Sequence, residues 1–212
     1  MKKVWIYGCS FSLLFQDNED IPAMTLSDGW PNIVASKTGY VLKERAECAA
    51  GWGTIRGKLE RDIADNVISK EDVIIISPSF FGRSTSPYFE ETLHLYAQYG
   101  IDPDEAAALN VNGFCATLRL LREAGYKAYG WCWSKDGIVY RRALKWLESI
   151  DDLLIKAPNG SLYFEDWIFE DPNRMYIPGE KLGESKWTGD SHFSKQGHKE
   201  MAEHLIKTIP WE

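Results

Sequence analysis

The sequence predicts an α/β protein, a three-layer α/β/α sandwich around a central parallel sheet of about five strands. Two observations point there. The runs Val4-Trp5-Ile6-Tyr7 and Val73-Ile74-Ile75-Ile76 are short and continuously apolar, without the alternation of a half-exposed strand. Such runs fit strands covered on both faces. Stretches of helical periodicity lie between the strand candidates, so strand, helix and strand follow one another, as right-handed parallel crossovers require. The length, 212 residues, fits one domain over 1–212.

The elements follow in order. Val4 to Tyr7 stops at Gly8. Asp28-Gly29-Trp30-Pro31 starts a helix with proline in its first turn, and Gly39 ends it. Residues 40–47 form a second strand of weaker pattern. From Thr54 a helix carries Ile55, Leu59, Ile63 and Val67 on one stripe. Residues 73–76 are the strongest strand, β-branched and stopped by Ser77-Pro78. Residues 79–112 read as loop with one helix near 88–98. Phe114, Leu118 and Leu121 mark the next helix, closed by Gly125. A strand at 127–133 and a helix at 138–150 follow, and 151–187 reads as irregular, with Pro158, Pro172 and Pro178. The last helix places Met201, Leu205 and Ile209 on one face. Segments 84–112 and 151–187 are expected to shape a pocket.

Composition narrows the function. The net charge of −7 and the lack of a basic run argue against nucleic acid. Cys9, Cys48, Cys115 and Cys132 are widely spaced without a CxxC, which favours buried thiols over a zinc site or a disulfide framework. No apolar stretch reaches the length of a membrane span, and the run before Gly8 is too short for a secretion signal. These features point to the cytoplasm.

Chemistry gathers at strand ends. Gly8-Cys9-Ser10-Phe11-Ser12 follows the first strand, and Asp190-Ser191-His192-Phe193-Ser194 precedes the last helix. Ser10, Gly53 and Ser79 all fall just after predicted strands, hence on the edge where α/β sheets place their functional loops. A serine, a histidine and an aspartate are the parts acyl transfer needs. Each piece alone is weak, because serines cap turns and aspartates and histidines decorate helix starts.

Together these blocks resemble the SGNH (GDSL-type) hydrolase superfamily, whose fold is flavodoxin-like. The family's opening Gly-Asp-Ser appears as Gly8-Cys9-Ser10, with Cys9 for aspartate. The resemblance implies that Ser10 is the nucleophile and that its N–H is one oxyanion donor. Cys48-Ala49-Ala50-Gly51-Trp52-Gly53 resembles the second block, with Cys48 where asparagine is common and Gly53 as the second donor. The third block normally supplies an asparagine. This chain has Ser77-Pro78-Ser79, so Ser79 takes the matching place, with Arg83 nearby to bind an anionic group or hold the loop. In the fourth block, Asp190 stands two residues before His192, where the family usually has three. The shorter spacing occurs in carbohydrate O-acetyl-transferring relatives. His192 would be the general base and Asp190 would orient it.

The implied activity is a serine esterase acting on a small acetyl-like ester, with a carbohydrate or another small molecule as the alcohol. It needs no cofactor and no metal. Two alternatives stay open: an O-acyltransferase that uses a sugar hydroxyl in place of water, and a non-catalytic binding domain on the same fold. Trp52 and Trp187 sit near the proposed site and are candidates for substrate contact. Trp131-Cys132-Trp133 reads as core strand, and His198 as packing at the start of the last helix. His94 and His204 have no second ligand at metal spacing. The acidic run at 17–20 reads as a solvated loop.

Overall fold

A computed structural model describes residues 1–9, 12, 26–47, 50–78, 98–100, 102–133, 141–174 and 193–212. Strands β1 (Lys3–Gly8), β2 (Val41–Glu44), β3 (Val73–Ser77) and β4 (Lys127–Gly130) form one sheet in the order β2-β1-β3-β4. All pairings are parallel, with Gly8 opposite Ser77 and Ile76 opposite Gly130. The helices are α1 (Trp30–Thr38), α2 (Trp52–Ala64), α3 (Pro103–Glu123), α4 (Arg141–Glu148), α5 (Phe164–Ile168) and α6 (Lys195–Thr208).

The strand pleat divides the core in two. Trp5, Tyr7, Ile74, Ile76 and Ala128 point to one face and meet Ile55 and Leu59 of α2, Val111, Phe114 and Leu118 of α3, and Leu147 of α4. Val4, Ile6, Val73 and Ile75 point to the other and meet Trp30 and Val34 of α1 and Met201 and Leu205 of α6. Both faces are covered, which is why β1 and β3 carry no polar alternation. The three layers are those the sequence predicts.

Several expectations change. The sheet has four strands among the described residues, where about five were expected. Beyond β4 the chain touches the sheet at two single parallel bridges, Gly130 with Leu154 and Cys132 with Tyr163. Between them Ala157 and Ser161 close a turn over Pro158-Asn159-Gly160, and this interrupts what would be a fifth strand. Val67 does not extend the α2 stripe. The helix ends at Ala64, Asn66 takes a left-handed φ of 55°, and Val67 is 41% exposed while Ile68 turns inward.

Helix α3 begins far ahead of Phe114, overturning the loop expected up to residue 112. Asp102 caps it by accepting from the Asp104 N–H at 3.0 Å, and Pro103 fits the first turn, where its missing N–H costs nothing. The expected helix at 88–98 lies almost wholly outside the described residues. Helix α4 is described over Arg141–Glu148, residues 138–140 lying outside the described residues, and the segment expected to be irregular holds α5 and the 3₁₀ turns Asp151–Leu153 and Pro172–Arg174. Helix α1 keeps its expected bounds, with Gly39 at φ 74° where the chain leaves it. Among the described residues no helix is long and apolar enough to cross a membrane.

Candidate active site

The strand order locates the site. After β1 the chain crosses to β2 on one side, then returns to β3 on the other. The two crossovers diverge between β1 and β3, and open α/β sheets place their ligand sites at the carboxyl ends of strands at such a point. Gly8 and Ser77 are the paired residues at that point.

The two strand ends are tightly packed. Ser12 Oγ and Ser77 Oγ share a short buried hydrogen bond. A side chain at position 8 would collide with both hydroxyls, so only glycine fits there. The Ser12 N–H donates to the Cys9 carbonyl at 2.9 Å, so Ser12 turns back toward the strand end. Cys9 is fully buried among Trp30, Trp131 and the apolar residues of the α1 side.

The loop from β2 to α2 runs along the same edge. Arg45 N–H donates to the Ile6 carbonyl at 2.9 Å and Glu47 N–H to the Gly8 carbonyl at 3.1 Å. Side chains fix the loop from beneath. Arg45 grips Asp62 of α2 through Nε at 2.8 Å and Nη2 at 3.2 Å, and Tyr7 OH donates to the same carboxylate at 2.6 Å. Burial alone would raise the Asp62 pKa, but the hydrogen bonds from Arg45 and Tyr7 outweigh it and hold the carboxyl below its ordinary value. Burial, reinforced by Asp62, pushes the Tyr7 phenol far up. Lys58 adds an ion pair to Glu47 at 2.5 Å. Each of these bonds joins residues from different elements, so no local motif announces them.

Gly51 caps α2 without a side chain, and Gly53 occupies its second helical position. The N–H groups of a first turn have no acceptor inside the helix and carry the positive end of its dipole. Gly53 is therefore a donor suited to an anionic oxygen. Trp52, a candidate for substrate contact, is instead a core residue: it is 4% exposed and packs edge-on against Phe114 with ring centres 5.6 Å apart.

Helix α6 brings the other end of the chain to this edge. Phe193 packs against Trp133, which follows β4, at 5.6 Å, and against Trp167 at 6.4 Å. Ser194 caps the helix by accepting from the Gly197 N–H at 3.1 Å. His198 is buried and accepts from the Trp30 N–H through Nδ1 at 3.2 Å, the packing expected for it. Trp131, Cys132 and Trp133 are all core residues.

Ser10, Ser79, Arg83, Trp187, Asp190 and His192 lie outside the described residues, as do His94, Cys48 and the acidic run at 17–20. The described flanks of the key positions are Cys9 and Ser12, Pro78, and Phe193. Burial pushes the Cys115 thiol up to about 12 and raises Cys132 as well, so neither is a nucleophile at neutral pH. Among the described residues no group of His, Cys, Asp or Glu is arranged to hold a metal ion.

This parallel sheet and its covering helices share their fold with solved structures named as GDSL-type and SGNH hydrolases. Solved structures agree over nearly the whole length. A protein assigned to the G-D-S-L lipolytic family from Desulfitobacterium hafniense matches 99% of this chain and 100% of its own at 13% identity, with a TM-score of 0.55. The psychrotrophic esterase EstA of a Pseudoalteromonas species matches 98% of this chain and 96% of its own at 10% identity and TM-score 0.56. A protein assigned to the SGNH hydrolases from Slackia heliotrinireducens matches 98% of each chain at 13% identity and TM-score 0.51. No family model and no curated protein matches the sequence.

Proposed function

We propose that the chain, as one domain, is a serine esterase that cleaves a small acetyl-like ester, with a carbohydrate among the candidate alcohols. The observation that supports this reading is where the described neighbours of Ser10 fall. Its described flanks, Cys9 and Ser12, follow β1 at the switch point of the sheet, where Gly8 pairs with Ser77.

In the proposed reaction Ser10 Oγ attacks the ester carbonyl carbon while His192 takes its proton, with Asp190 orienting the imidazole. The carbonyl oxygen becomes an oxyanion held by the N–H groups of Ser10 and Gly53 and by the Ser79 hydroxyl. The carbon–oxygen bond to the alcohol then breaks, and His192 returns the proton to the departing oxygen. Water attacks the acyl-serine by the same route and releases the acid. Arg83 and Trp187 are proposed to contact the substrate. The chemistry consumes only water.

The test is hydrolysis of a chromogenic acetyl ester by wild type, Ser10→Ala and His192→Ala. Loss of either group is expected to lower the rate on the order of 10⁴-fold. Equal rates for all three, across several acyl lengths, would refute the esterase reading. Acylated sugar appearing when a sugar is added would reassign the chain to acyl transfer.

A further inference from the structure

The start of α6 is held by a residue that no motif marks. Arg174, in the 3₁₀ turn Pro172–Arg174, donates from Nε to Glu200 of α6 at 2.8 Å and from Nη1 to the Trp167 carbonyl at 2.8 Å. Its guanidinium lies over the Trp167 ring, 4.8 Å from the ring centre. Glu170 adds a more distant ion pair at 4.0 Å. One side chain therefore ties α5, the 3₁₀ turn and α6 together.

The backbone of the same turn reaches the α6 start directly. The Ser194 N–H donates to the Arg174 carbonyl at 2.8 Å, and Ser194 Oγ donates to the Asn173 carbonyl. A side chain at position 197 would run into the Arg174 carbonyl, so glycine there permits the approach. Phe193 is held from its other sides by Trp133, Trp167 and His198. Residues 193 and 194 are thus fixed by side chain, backbone and ring contacts together. The residue before Phe193 in the sequence is His192.

We propose that Arg174 is a positioning residue for His192, acting through Phe193 and Ser194. This rests on the esterase reading, in which His192 moves the proton. A general base must lie within hydrogen-bond reach of the nucleophile, and a displacement of about 1 Å can cost on the order of 10²-fold in rate. A guanidinium suits the clamp because its planar fork serves two acceptors and an aromatic face at once, which an ammonium does not.

The experiment compares wild type, Arg174→Met, Arg174→Lys and Glu200→Gln by steady-state hydrolysis and by NMR of the histidine rings. His192 is assigned by its loss in His192→Ala, with His204 as an internal reference. Arg174→Met keeps an apolar stem over Trp167 and removes the donors. It is expected to lower kcat by about 10- to 100-fold with KM nearly unchanged, and to shift or broaden the His192 resonance while His204 stays put. Arg174→Lys should recover part of the loss, and Glu200→Gln should show a smaller effect in the same direction. A His192 resonance and a kcat equal to wild type in folded Arg174→Met or Glu200→Gln, with only the melting temperature lowered, would overturn the proposal. An inactive wild type whose His192 signal still responds to Arg174→Met would sink the esterase reading and leave the clamp standing.

Discussion

Gly8 and Ser77 show how much one atom decides at the switch point. A Cβ at position 8 has no room beside the Ser12 and Ser77 hydroxyls. Gly8→Ala is expected to destabilise by about 1–3 kcal/mol, read as a lower urea midpoint with unchanged slope. Combining it with Ser77→Gly should recover part of that loss, because the nearest clashing atom leaves. Asp62 is a second such residue. Asp62→Asn removes the charge from its bonds with Arg45 and Tyr7 and is expected to cost about 1.5–3 kcal/mol at pH 7 by denaturant titration. Neither effect is legible in the sequence. Gly8 looks there like a strand terminator, and Tyr7, Arg45 and Asp62 are far apart along the chain.

At the scale of elements, α3 separates what pattern shows from what it hides. Phe114, Leu118 and Leu121 mark its apolar stripe correctly, and all three are buried. Leu118→Ala is expected to cost about 2–5 kcal/mol by urea unfolding. Leu120→Ala, at a position 65% exposed, should stay within about 0.5 kcal/mol. The first half of the helix escaped the periodicity because its alanines, Ala106 to Ala108, fill the core without a large apolar signal. The start signal was nonetheless present in Asp102-Pro103-Asp104-Glu105. The segment after β4, read from the sequence as irregular, adds no further strand among the described residues. Its apolar residues are real core, but the turn between Ala157 and Ser161 limits its pairing to two bridges.

At the scale of the whole molecule, Asp62 and His204 both contribute to acid sensitivity. Asp62 sits below its ordinary carboxyl value in the fold. Its contribution is present above the unfolded value near 3.9 and is lost as pH falls through the folded one. His204 is also lowered, chiefly by burial, with Lys207 adding to the shift and the bond from its ring to the Lys156 carbonyl opposing it. Its folded state prefers the neutral ring. That contribution is present above about 6.5 and is lost as pH falls through the folded value, because the unfolded chain takes up the proton first. Unfolding free energy should therefore decline from pH 7.5 to 5.5 more in wild type than in His204→Gln. An equal decline in both would exclude His204 as the source.

Local pattern determined the layers and the edge on which chemistry gathers. Runs such as Val73 to Ile76 must be buried on both faces, and strand–helix alternation must close as parallel crossovers. The Gly8-Cys9-Ser10 block marks the end of β1 in the same local way. What only the tertiary structure decided is contact between residues remote in sequence. It put Ser77 beneath the Gly8 turn, assigned Trp52 to the core, and set Arg174 against the start of α6. Periodicity reports which way a side chain faces along its own element. It carries no record of which other element comes to meet it, and packing and hydrogen-bond satisfaction settle that only in the assembled fold.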